Sequence, residues 1–138
     1  HAVGLTEHDD IVGACEHYLI ALEIMEPLVE THRRASNNRR AISVDNPEDY
    51  EKIRFVSLIY TRLGHLFYCD IAISNYQKAL HYTNVLENDF SIAQTLKNIG
   101  NSYLLLNNAD SALSYYKKSL KTSCNPSNKL DIDKQIEQ

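Results

Sequence analysis

His65 and Cys69 lie four residues apart, the separation at which two side chains share one face of a helix and two soft ligands can hold a metal. A third ligand is not apparent in the sequence, so the pair reads as structural or surface residues. Carboxylates occur in neighbouring pairs, Asp9 with Asp10 and Glu48 with Asp49, and paired carboxylates can serve general acid–base chemistry. Each pair falls where a helix is expected to begin. There a negative side chain accepts bonds from free N–H groups and complements the helix dipole, which accounts for both pairs without catalysis. The chain carries no Gly-rich phosphate loop, no H-E-x-x-H, no G-x-S-x-G and no calcium-binding loop. The expectation is no catalytic residue, no metal site and no cofactor.

Arg33, Arg34, Arg39 and Arg40 flank the turn-forming run Ala35-Ser36-Asn37-Asn38. Three readings stand for this cluster: a solvated loop, a docking surface for an acidic partner, or a phosphate contact. Tyr18, Tyr60, Tyr76, Tyr103 and Tyr116 fall at the recurring positions of the pattern described below and read as core packing, not as a stacking platform for bases. A net charge of −4 argues against direct nucleic-acid binding, whose footprint is basic. No apolar run is long enough to span a membrane. The chain begins at His1 without a signal-peptide pattern and reads as a fragment or processed form. Cys15, Cys69 and Cys124 are widely separated, and an odd count argues against a disulfide scaffold, leaving cytoplasm and periplasm both open.

The elements that must position these residues are helices. At 138 residues the chain is one domain's worth, and its 43 % apolar and 23 % charged residues are those of an ordinary soluble protein. Four glycines, three prolines and apolar residues at i, i+3, i+4 and i+7 predict an all-α fold. Residues 93–126 form the most regular stretch: Leu96, Ile99, Gly100 and Tyr103, then Ala112, Tyr116 and Ser119, then Pro126. Gly100 and Ala112 would let two helices approach closely, with Tyr103 and Tyr116 filling the wider parts of the seam. Tyr60, Leu63, Gly64 and Phe67 followed by Ala72, Tyr76 and Ala79 repeat the pattern, and Ala14, Tyr18 and Ala21 with Pro27 repeat its second half. Gly64 to Ala72 spans eight positions against twelve from Gly100 to Ala112. Either Cys69-Asp70 makes a tight turn or turn residues are absent from the chain, and the intact flanking signatures favour the second. Asn46 before Pro47, Glu48 and Asp49 marks a helix start, with the helix running to about Tyr68. Asp9 or Asp10 and Asn88 or Asp89 are further candidate caps, and Asn107-Asn108 a turn.

This recurrence resembles the tetratricopeptide repeat (TPR), a 34-residue helix–turn–helix with the pattern W-x2-L-G-x2-Y…A-x3-F…P. Leu96 stands in for the Trp and Tyr116 for the Phe. The resemblance implies a right-handed superhelix of antiparallel helix pairs. Its units would be 1–27 (truncated), 57–84 (short turn) and 93–126 (complete), with 28–56 an insertion carrying a loop. Residues 127–138, with Leu130, Ile132 and Ile136, would be a capping helix. It further implies a non-catalytic protein- or peptide-binding scaffold, and the phrasing of the repeats is similar to bacterial sensor and regulatory TPR regions. The alternative is a structural or self-associating module without a peptide ligand. In TPR proteins the first helix of each pair lines a concave groove. Here that places Leu58, Thr61, Arg62, His65 and Tyr68 with Gln94, Lys97, Asn98, Asn101, Leu104 and Leu105 in the groove. Lys97 and Asn101 resemble the Lys and Asn that hold a C-terminal carboxylate in clamp-type members. Arg62 precedes Lys97 instead of following it, so the expectation is a generic polar groove for a protein or peptide segment.

Overall fold

The computed structural model describes residues 7–30 and 42–123. Within them the fold is all-α: α1 (Glu7–Val29), α2 (Pro47–Leu66), α3 (Cys69–Leu86), α4 (Asp89–Leu105) and α5 (Ala109–Ser123). The arginine cluster at 33–40, Cys124, Pro126 and the segment 127–138 lie outside the described residues, as do residues 1–6.

Local chemistry sets the helix boundaries. Asn46 adopts an extended backbone, and its side-chain oxygen accepts the N–H groups of Glu48 at 2.9 Å and Asp49 at 3.1 Å, with Pro47 beginning α2. Asp49 does more than offset the dipole. It is fully buried, and its carboxylate accepts the Ser43 N–H at 3.2 Å, which folds the incoming chain back over the helix start. Asn88 caps α4 by accepting the Ser91 N–H at 3.1 Å, and Asn108 does the same for α5 through Ser111 at 3.1 Å. At α1 the expected cap is displaced, because the helix already begins at Glu7 and Asp10 lies inside it.

Two of the connections are built so that one residue closes a helix and opens the next. Glu87 and Asn107 take left-handed backbones with φ of 57° and 59°. The following residue then turns its N–H back onto the departing helix, Asn88 to Thr83 O at 3.4 Å and Asn108 to Tyr103 O at 3.0 Å. The same two asparagines supply the side-chain caps of the next helices, which is why three residues or fewer suffice for each reversal.

The α2–α3 turn uses the residues present. Phe67 and Tyr68 alone connect the helices, and Cys69 enters α3 with φ of 56°. His65 and Cys69 are therefore on different helices, not four apart on one. α2 ends two residues after Gly64 with a two-residue link, whereas α4 continues five residues past Gly100 before a three-residue link. The shorter hairpin thus lacks about one helical turn. Loss of a whole turn preserves facing, so Tyr76 still meets Gly64 as Tyr116 meets Gly100.

Packing follows chain order, with α1 on α2, α2 on α3, α3 on α4 and α4 on α5. One cluster joins Leu22 and Val29 of α1 to Ile53, Val56, Tyr60 and Leu63 of α2 and Ala79, Tyr82 and Leu86 of α3. A second joins Ala72, Ile73 and Tyr76 of α3 to Ile99 of α4. The apolar signature positions of the two hairpins are mostly buried or half-buried, which is what their 3.6-residue spacing demands.

Candidate binding groove

The first helices of the two hairpins, α2 and α4, leave a groove between them. On α2, Arg54, Leu58 and Thr61 are spaced i, i+4, i+7 and share a face; on α4, Phe90, Gln94 and Asn98, spaced i, i+4, i+8, also share one. These six residues line one cavity of about 220 Å³, floored by Ser57, Thr83 and Thr95. The floor offers little to a ligand, because Thr83 and Thr95 donate their hydroxyls to carbonyls of their own helices at 3.0 and 2.8 Å. Thr61 likewise donates to Ser57 O at 3.0 Å. Recognition would fall to the rim. The amides of Gln94 and Asn98 carry a donor and an acceptor each, matching a peptide unit, and Leu58 and Phe90 supply apolar surface. Phe90 is 78 % exposed although it is a large aromatic ring.

Thr61, Gln94 and Asn98, three of the residues expected in the groove, line this cavity together. Lys97 does not join them: it lines an adjoining cavity of about 380 Å³ between α4 and α5, with Phe90, Gln94 and Leu120. Arg62, Tyr68 and Leu104 are exposed and lie outside both linings. His65 and Asn101 are engaged within their hairpins. The Tyr76 hydroxyl lies 2.7 Å from Nδ1 of His65, and the Tyr116 hydroxyl donates to Oδ1 of Asn101. Asn101 lines neither cavity, so Lys97 and Asn101 do not share one lining. Arg54 and Phe90 were missed by sequence reasoning, although extending each helical face one turn toward its N-terminus finds both.

A second polar feature was also missed. The Glu26 carboxylate of α1 accepts two phenol hydroxyls, Tyr60 of α2 on Oε1 and Tyr82 of α3 on Oε2, both at 2.7 Å. The two rings stack with centroids 6.1 Å apart and planes 7° apart. Burial, then hydrogen bonding to the Glu26 carboxylate, pushes both phenols far above the usual tyrosine range. Burial alone raises Tyr76. This arrangement ties α1 to the first hairpin. Lys78 stands 5.5 Å from the Tyr60 ring centroid and His81 packs edge-on to Tyr82 at 4.9 Å.

Among the described residues no three His, Cys, Asp or Glu side chains converge to hold a metal. No described helix is long and apolar enough to cross a membrane. No protein-family model, curated protein or solved structure matches this chain.

Proposed function

We propose that this chain is a TPR-like, non-catalytic scaffold that holds a peptide or protein segment in the groove between α2 and α4, serving as the interaction region of a larger regulatory protein. The observation that carries this reading is the cavity shared by Leu58 and Thr61 of α2 with Phe90, Gln94 and Asn98 of α4. It lies between the first helices of two hairpins whose internal contacts repeat, a tyrosine of the second helix closing over a glycine of the first. Repeat arrays present such inter-helix surfaces for binding because each unit contacts only its neighbours.

A selection of short random peptides on the immobilised chain tests this, with a photo-crosslinker placed at position 58 or 94. Selected peptides should cross-link from both positions and lose affinity with Asn98→Ala. Failure to select any binder, or cross-linking that ignores both positions, would overturn the reading. A structural role is the second reading. It is favoured by Leu19, Ile20 and Ile24, exposed apolar residues on α1, and it predicts concentration-dependent association in sedimentation.

A further inference from the structure

The groove is part of a longer trough. Arg54 and Leu58 also line a cavity of about 280 Å³ beside Met25, Lys52 and Phe55. Phe90 and Gln94 continue the trough into the cavity that holds Lys97 and Leu120. Three adjoining cavities thus share walls from α1 across α2 and α4 to α5.

The charge along this trough opposes that of the chain. Among the described residues its ionic lining is Lys52, Arg54 and Lys97 against one carboxylate, Glu51, in a chain of net charge −4. Glu51 is already bound to Arg54 at 3.2 Å, which leaves the excess positive. Between the cations stand exposed apolar side chains, Phe55, Leu58, Phe90 and Leu120. Cations interleaved with apolar surface complement a segment that carries carboxylates and apolar anchors together.

Resting on the groove reading above, we infer that the occupant is an acidic, amphipathic segment of a partner protein. Its carboxylates meet Arg54 and Lys97, and its aliphatic or aromatic anchors pack against Leu58 and Phe90. The acidic groups supply the sign and the encounter rate; the anchors supply the burial.

Fluorescence anisotropy with the full chain tests this, using three labelled peptides of equal length. One combines Glu with Leu and Phe, the second replaces every Glu by Lys, and the third keeps Glu but replaces Leu and Phe by Ser. The first should bind at least about tenfold more tightly than either other, with affinity falling as salt rises. Lys97→Glu and Arg54→Glu should each weaken it several-fold, about the effect of turning an attractive rim charge repulsive, with thermal unfolding unchanged for Lys97→Glu. Phe90→Ala should weaken it further while abolishing little of the salt dependence. Equal binding of the Glu and Lys peptides, lost on Phe90→Ala, would overturn the acidic assignment and leave the groove reading intact. Binding of none of the peptides, in a chain for which random selection also yields no binder, would remove both. A dimer in sedimentation that Phe90→Ala dissolves would assign the trough to a second copy of this chain and overturn the proposal.

Discussion

Tyr76 occupies the space into which any side chain at position 64 would project, so the close approach of α2 and α3 at this point requires Gly. Tyr116 stands in the same relation to Gly100, where an added Cβ would lie 2.7 Å from the ring. In a helix interior, Gly→Ala normally gains up to about 1 kcal/mol. At Gly64 the forced overlap should reverse the sign and cost about 2 kcal/mol, because the buried Tyr76 ring cannot turn aside. The same change in a Tyr76→Ala background should cost nothing, and Gly100→Ala should cost less because Tyr116 is only half-buried. Urea unfolding of these four variants against the parent chain reads this, and a stabilised Gly64→Ala chain would show that the close approach is not needed.

Glu87 holds a left-handed backbone with φ of 57° without the freedom of glycine. Glu87→Gly should raise stability by about 1 kcal/mol. Asn107→Gly should gain less, since Asn tolerates this region better than Glu does. Thermal unfolding checks the order, and a destabilised Glu87→Gly chain would contradict it.

Glu26 reaches from α1 to phenols on two other helices. Glu26→Ala leaves both hydroxyls without their acceptor, at a cost of about 2 kcal/mol. Hydrogen exchange should quicken along Glu7–Val29 far more than in α4 and α5. Uniform quickening would mean that the carboxylate supports the whole stack instead of docking α1.

The same phenols set an alkaline limit. Their pKa values are raised on folding, so the native state retains protons that the unfolded chain releases. Their stabilisation is complete below about pH 10, the ordinary tyrosine value, and is lost as pH climbs beyond it. Tyrosinate absorbance should therefore show Tyr60, Tyr76 and Tyr82 titrating late among the nine tyrosines, and Tyr60→Phe should remove part of the late phase. Simple titration of all nine together while the fold persists would refute this.

Features decided within a few residues were legible before any coordinates. Asn46 with Pro47, and Asn88, declare helix starts because capping is local, and Gly64, Gly100, Ala72 and Ala112 declare close contacts through helical spacing. What was not legible depends on distant partners. Glu26 meets Tyr60 and Tyr82 across 34 and 56 residues, and nothing in the spacing announces it. The burial of Asp49 depends on the path of the preceding loop. The pairing of His65 with Tyr76 and of Asn101 with Tyr116 depends on how closely the second helix approaches, which spacing along the first helix does not show. The short α2–α3 hairpin was hard to read because its missing length is split between helix and turn, and only the sum restores facing.

Amide chemical-shift mapping with a selected peptide shows whether the α2–α4 groove is the binding surface. Shifts should concentrate at Leu58, Thr61, Phe90, Gln94 and Asn98 and disappear with a Leu58→Asp variant that still folds. Shifts confined to Leu19, Ile20 and Ile24 of α1, with the groove unchanged, would place binding on α1 and rule the groove out.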